Sequence, residues 1–268
     1  MNFITAFIQE AIPLIDELKL VKLDLPSPFI LFQNKNHRLV ISGMGAQNMS
    51  LAVSFLHGIH PRTQIPWLNL GLCGHGNAER GDALHIAKCQ NPQSGKTIYP
   101  PQLFSTSLPK AILHTVDQPE SDYKSDLAYD MEGMAYFETA IRFAPPELVQ
   151  AVKIVSDNPQ NPFSQFDKKQ TTTLISPHIP NILSLITEME DLALELQPHP
   201  QLRFIIDQAL ALNSFTETQV HQLKKLTRQA LTLGFPPDEI SQITQSRDSA
   251  KSIITLLNNQ LEQKRIFP

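Results

Sequence analysis

Residues 127–158, LAYDMEGMAYFETAIRFAPPELVQAVKIVSDN, constrain the fold more than any other stretch of the chain. The run 127–131 has the short apolar character of a strand. Met134, Phe137 and Ile141 then recur at helical spacing, and Pro145-Pro146 end that helix before an apolar strand resumes over 149–155. Such a strand-helix-strand unit belongs in an α/β fold, with its two strands parallel. Glu132 follows the first strand directly and Asp157 follows the second. A parallel arrangement therefore sets both carboxylates at the carboxyl edge, where open α/β sheets bind ligands.

The remainder of the first two hundred residues supplies more strands and helices of the same kind. Residues 2–7 read as a buried first strand, followed by an apolar stripe of Ala11, Leu14, Ile15 and Leu18 that puts Glu10 where strand turns into helix and Pro13 in the first turn. Residues 29–32 and 38–42 read as a hairpin. Gly43-Met44-Gly45 opens a helix whose inner face is Met49, Ala52, Val53 and Leu56, and residues 67–71, 83–87 and 111–116 read as further strands. A dinucleotide site at Gly43-Met44-Gly45 fails, because the third glycine position is Asn48 and the first acidic residue after Gly45 is Glu79. Residues 91–109 read as a long irregular loop. Ile182, Leu185, Ile186, Met189, Ala193 and Leu196 define an amphipathic helix, which Pro198 and Pro200 are expected to break.

Composition excludes several classes of partner. A chain of 268 residues with 41% hydrophobic content can bury a large core, and its net charge of −4 offers no field to gather nucleic acid or an anionic membrane. No apolar run reaches the length of a membrane span, and the amino terminus lacks the features of a signal peptide, so the expectation is a cytoplasmic protein acting on a small molecule. Cys73 and Cys89, the two cysteines, have no metal-ligand spacing; no metal, disulfide or cofactor is expected.

Several motifs carry a resemblance. Asp-Met-Glu-Gly at 130–133 with Ser156-Asp157, Ala-Phe-Ile-Gln-Glu at 6–10, Ser-Gly-Met-Gly at 42–45, Asn-Leu-Gly-Leu-Cys-Gly at 69–74 and Gly81-Asp82 together resemble the nucleoside phosphorylase and methylthioadenosine/S-adenosylhomocysteine nucleosidase superfamily. The resemblance covers about residues 1–196 and implies a three-layer α/β/α domain with a mixed, largely parallel sheet. It also implies a homodimer whose pocket a second subunit completes. Residue by residue, it implies that Glu10 activates water, that Asp157 protonates or hydrogen-bonds the departing purine, and that Glu132 holds the ribose hydroxyls. Phe7, Gly45, Met131 and Ser156 would bound the substrate. Leu72 stands where hydrolases of the family often carry Ser, and Lys153 where they often carry Arg. The family's base-stacking motif is not recognisable over 117–125, leaving Tyr123 or Phe104 to supply that face. His75 and His85 match nothing in the pattern and are read as structural.

These residue types suit cleavage of an N-glycosidic bond, whose transition state is a ribosyl oxocarbenium ion flanked by leaving base and incoming water. Two alternatives stand beside hydrolysis of a purine nucleoside or 5′-modified adenosine: a purine nucleoside phosphorylase, and a non-catalytic nucleoside-binding or scaffold protein on the same fold. Beyond residue 200 the pattern is purely helical. Thr216 to Gln219 form a capping box with Phe215 and Val220 at staple positions, Gly234 marks a helix end, and Asp248 is expected to begin the last helix. Eight Lys/Arg against six Asp/Glu over 200–268 make too weak a positive charge for nucleic-acid binding, and packing against another surface is the expected role.

Overall fold

In the computed structural model, residues 1–266 are described except 62–63, 125, 166, 198 and 247. The chain divides into two units, Met1–Glu195 and Leu196–Pro268. The first unit opens with β1 (Asn2–Thr5), α1 (Ile8–Leu18), β2 (Val21–Leu23), β3 (Ile30–Gln33), β4 (Arg38–Ile41) and α2 (Ala46–Ile59). It continues through β5 (Trp67–His75), β6 (Ala83–Gln90), β7 (Thr97–Ile98), β8 (Lys110–Thr115), β9 (Leu127–Asp130) and α3 (Gly133–Ala140). Strand β10 (Val149–Asp157) and helices α4 (Thr171–Ile175) and α5 (Ile179–Glu195) complete it.

These strands form one mixed sheet in the order β10-β6-β8-β9-β5-β1-β4-β3-β2, with β7 pairing β6. Strands β4, β1, β5 and β10 are parallel neighbours, as the sequence leads one to expect for 38–42, 2–7, 67–71 and 150–156. An additional β5–β10 pairing closes β5, β10, β6, β8 and β9 into a ring. Strand alternation divides the core between two faces. Ile4, Val40 and Trp67 pack with α2 and α3 residues such as Met49, Leu56 and Phe137. Their neighbours Phe3, Leu39 and Leu68 pack on the opposite face with Leu14 of α1 and Ile182 and Met189 of α5. The result is a three-layer α/β/α arrangement around a mixed sheet.

The unit 127–158 does form strand, helix and strand, but its two strands are not parallel partners. Strand β9 runs antiparallel to β5, whereas β10 runs parallel to it. Convergence of the two carboxylates is achieved by register instead: Tyr129 and Asp157 both pair with Gly74 of β5, from opposite sides. The sequence pattern of β9, four residues long, carries no information about which way it enters the sheet.

Other boundaries shift for identifiable reasons. Strand β5 runs on through Leu72 to His75, because β10 and β9 supply partners past the glycines. Residues 91–109 include the two-residue β7. Leu196 lies beyond α5 and is 38% exposed, so it is not part of that helix's buried stripe. Pro198 lies outside the described residues, and Pro200 starts a helix rather than breaking one, since its missing N–H falls at the first helical position.

Pro13 is the sixth residue of α1, not part of its first turn. In a regular helix its amide would donate to the carbonyl of Gln9, four residues earlier. The hydroxyl of Thr172, from α4, donates to that carbonyl at 3.1 Å and satisfies it.

The second unit holds α6 (Pro200–Leu212), α7 (Glu217–Thr232), α8 (Pro237–Thr244) and α9 (Ala250–Ile266). Leu202, Ile206, Leu223, Ala230, Ile253 and Leu257 are among its core. The capping box forms, with Gln219 N donating to Thr216 Oγ1 and Thr216 N donating to Gln219 Oε1. At the other end of α7, Gly234 takes φ +74° while Phe235 N donates to Ala230 O and Gly234 N to Leu231 O, a Schellman closure. The last helix begins at Ala250, two residues past Asp248.

The Pro13 arrangement is testable by a double-mutant cycle. Thr172→Val should lower stability by about 1 kcal/mol, the worth of one hydrogen bond. In a Pro13→Ala background, where residue 13 regains an amide to donate to Gln9, the same change should cost little. Shifts in urea midpoint would measure both, and an equal cost in the two backgrounds would refute the account.

Candidate active site

A cavity of about 290 Å³ gathers residues from eight separate parts of the first unit, including Phe7, Glu10, Leu72, Gly74, Tyr123, Glu132 and Asp157. That volume is at the lower end of the range for small-molecule sites. Glu10, Met131, Glu132, Ser156, Asp157 and Phe7 all line it. Gly45 is not among the lining residues; its amide donates to Glu132 Oε1 at 2.6 Å and so acts through that side chain. The φ of +96° at Gly45 places that amide in a backbone conformation that side chains other than glycine's rarely permit.

Glu10 is the third residue of α1, where a carboxylate meets the unpaired amides of the helix start. Its Oε2 accepts from Ala6 N at 2.7 Å and Phe7 N at 2.9 Å, and its Oε1 accepts from Leu72 N at 3.0 Å. Burial raises its pKa above the ordinary carboxyl value, while those three amides and the Lys153 ammonium pull it back part of the way. Three backbone amides thus fix the position of this carboxyl. Leu72, which lacks the hydroxyl of the resembled motif, contributes its backbone amide.

Glu132 follows β9 and caps α3. Burial and the neighbouring Asp130 charge push its pKa up to about 7, against the opposing pull of Lys153. Asp157 closes β10 with only 4% exposure. Its Oδ1 accepts from Ser156 Oγ and its Oδ2 from Tyr123 Oη, both in short contacts. Gly74 makes room for this pair, since a Cβ there would lie 2.6 Å from Tyr123 Cε1 and 2.7 Å from Asp157 Oδ2.

Lys153 lies outside the cavity lining, in the interior of β10. It is 2% exposed and its Nζ is 2.8 Å from Asp130 Oδ2. Burial works against its charge, but the carboxylates of Asp130, Glu132 and Glu10 outweigh that and hold the ammonium above the ordinary lysine range. Asp130 also accepts from Thr115 Oγ1 and from Gly133 N, both at 2.8 Å. A Cβ at Gly71 would lie 3.3 Å from both Glu10 Oε1 and Lys153 Nζ, so that glycine lets base and ammonium share the same wall.

Asp130 is the functional-site residue that motif reading leaves without a role. The signal for it is Lys153 itself: a lysine inside an otherwise apolar strand demands a buried carboxylate partner. The two histidines are structural. His75 Nδ1 accepts from Asn77 N and Ala78 N, and His85 Nε2 pairs with Gln150 Oε1 at 2.8 Å. Phe104 is buried in the core beside α5, so of the two aromatic candidates only Tyr123 faces the cavity. Both cysteines are buried and unbridged, and no cluster of metal-ligating side chains occurs among the described residues. Nor is any described helix long and apolar enough to cross a membrane.

The chain matches no protein-family profile and no curated protein sequence. Its fold does match solved structures. 5′-Methylthioadenosine nucleosidase of Arabidopsis thaliana aligns with a TM-score of 0.57 at 19% identity, over 70% of this chain and 94% of that one. The 5′-methylthioadenosine/S-adenosylhomocysteine nucleosidase of Campylobacter jejuni gives 0.55 at 19% identity, over 70% and 98%. Futalosine hydrolase of Helicobacter pylori gives 0.56 at 15% identity, over 70% and 97%. At these identities the likeness is one of fold: this chain carries the α/β fold of those nucleosidases and of futalosine hydrolase.

Proposed function

We propose that the first unit hydrolyses the N-glycosidic bond of a purine nucleoside or 5′-modified adenosine. The observation that carries this reading is the meeting of Glu10, Glu132 and Asp157 in one cavity, each at most 8% exposed, from segments distant in sequence. The nucleosidase fold supports it. Water attacks C1′ of the sugar and gives a proton to Glu10. The bond from C1′ to the base nitrogen breaks, its electron pair goes to the purine, and Asp157, entering the step with a proton bound, supplies that proton or a hydrogen bond from it to the ring. Glu132 accepts from the ribose hydroxyls.

The charge of the cavity wall supports hydrolysis over phosphorolysis. None of the described residues lining the cavity is Lys or Arg, while Glu10, Glu120, Asp130, Glu132 and Asp157 all line it. Such a wall repels phosphate and favours a developing ribosyl cation. The buried Lys153 ammonium is already engaged by Asp130.

A panel of adenosine, inosine, 5′-methylthioadenosine and S-adenosylhomocysteine, assayed with and without phosphate, tests the reading. Base release independent of phosphate is expected; release that requires phosphate identifies a phosphorylase, and binding without release a scaffold. Glu10→Gln should reduce hydrolysis by on the order of 10²–10⁴ while nucleoside binding persists, and Asp157→Asn should lower the rate by a similar order. Hydrolysis at the unmodified rate by the Glu10→Gln protein would remove Glu10 from the mechanism.

The pH profile offers a separate check. Glu132 accepts hydroxyl protons only when ionised, so kcat/KM should rise with pH through about 7. For stability the sign is opposite: a carboxyl with a raised folded pKa contributes fully below its ordinary value and loses that contribution as pH rises through about 7. A flat kcat/KM between pH 6 and 8 would rule out the role given to Glu132.

A further inference from the structure

Each carboxylate oxygen of Asp157 accepts from a hydroxyl. Ser156 Oγ donates to Oδ1 and Tyr123 Oη to Oδ2. A carboxylate this buried, without donors, would carry a large desolvation penalty, and the two hydroxyls offset it. Yet the proposed reaction requires that a purine ring nitrogen reach the same carboxyl. Each oxygen keeps a second lone pair, so the constraint is one of space: Asp157 is 4% exposed, and a purine nitrogen reaches it only if one of the two hydroxyls moves aside.

The two are not equally free to do so. Ser156 lies between Val155 and Asp157, both of which pair with β5, is 4% exposed, and its hydroxyl is also 3.2 Å from the carbonyl of Cys73. Tyr123 belongs to the connection between β8 and β9, where residues 116–126 contain no helix or strand among those described. Its ring is half-buried, lines the cavity and lies 5.9 Å from the ring of Tyr129. Burial and the adjacent Asp157 raise the pKa of its phenol, so it stays a neutral donor. The contact is also built into the sheet. Asp157 pairs with Gly74, the position at which any Cβ would collide with both the Tyr123 ring and Asp157 Oδ2.

We infer that Tyr123 is a positioning residue that stands in for the leaving base: its hydroxyl occupies, on Asp157 Oδ2, the place a purine ring nitrogen takes on binding, and the base displaces it. This rests on the nucleoside-hydrolase reading of the site. Tyr123 holds Asp157 oriented and satisfied until a base displaces it. It also imposes a cost on base binding, because every incoming purine exchanges a hydrogen bond that Asp157 accepts from Tyr123 for one that Asp157, having taken up a proton, donates to the ring nitrogen, and only the displaced form is competent.

Tyr123→Phe separates this role from ring packing, since it deletes the hydroxyl and keeps the ring against Gly74. Calorimetric titration of the whole protein with free adenine and free hypoxanthine measures base binding with no turnover needed. Removal of a hydrogen bond to a charged group should tighten the dissociation constant of at least one base by about tenfold. KM of the best nucleoside substrate should fall with it, while kcat changes by less than about threefold. A purely structural role for Tyr123 would lower kcat and weaken binding together. Equal base binding by the two proteins, or weaker binding by the variant, overturns the stand-in role and leaves the hydrolase reading intact. Binding of neither base by either protein overturns both. Tightening on Tyr123→Phe in a protein that releases no base from any nucleoside supports the stand-in role and defeats the hydrolase reading alone.

Discussion

The buried ion pair between Lys153 and Asp130 is the interaction on which the site depends. Taking two charges from water into the middle of a sheet is costly, and a pair alone often fails to recover that cost against apolar residues of similar size. Here the pair is not alone. Asp130 is tied to Thr115 on β8 and to the amide that begins α3, so the same carboxylate fixes the end of β9, the start of α3 and the orientation of Lys153. Glu132, two residues on, inherits its place from that arrangement. Thr115 Oγ1 also accepts from Met134 N, which adds a second tether to the first turn of α3. Removal of either charge would leave the other buried without a partner, a loss far larger than that of a surface pair.

The electrostatic consequence reaches the proposed chemistry. One ammonium stands among the three carboxyl groups of Glu10, Asp130 and Glu132, so acidic groups outnumber basic ones in the cluster. A ribosyl cation forming above it meets a field prepared in advance, which is the economical way for a protein to stabilise charge that exists only in a transition state. The raised pKa values of Glu10 and Glu132 are the ground-state signature of the same crowding.

Strand β5 contributes almost no side-chain chemistry and yet shapes the site more than any other element. The amide of Leu72 holds Glu10. The missing Cβ of Gly71 admits Glu10 and Lys153, and that of Gly74 admits Asp157 and Tyr123. The substitution of leucine for a family serine at position 72 therefore removes one hydroxyl without removing the contact to the base. In the second unit the construction is more ordinary. Its helices are capped as local sequence rules require, and its core is a set of apolar faces brought together.

Local order was largely legible from sequence. The Met49, Ala52, Val53 and Leu56 stripe, the 127–158 unit, the Thr216 capping box and Gly234 all depend on interactions within a few residues, and there spacing and residue type suffice. The parallel set of β4, β1, β5 and β10 was legible too, because their apolar runs and connecting helices leave few alternatives. Motif likeness brought Glu10, Met131, Glu132, Ser156 and Asp157 to attention, and all of them line one cavity. What only the tertiary structure decided was every relation made across the sheet. The antiparallel entry of β9, the closure of β10 onto β5, the partnership of Asp130 with Lys153, the Thr172 hydroxyl that satisfies the carbonyl Pro13 cannot serve, and the Tyr123 contact on Asp157 join residues between 23 and 163 positions apart or depend on strand direction. Periodicity registers which face of an element is apolar, but register and strand direction arise from the packing of whole elements, and one strand of four residues holds no trace of either.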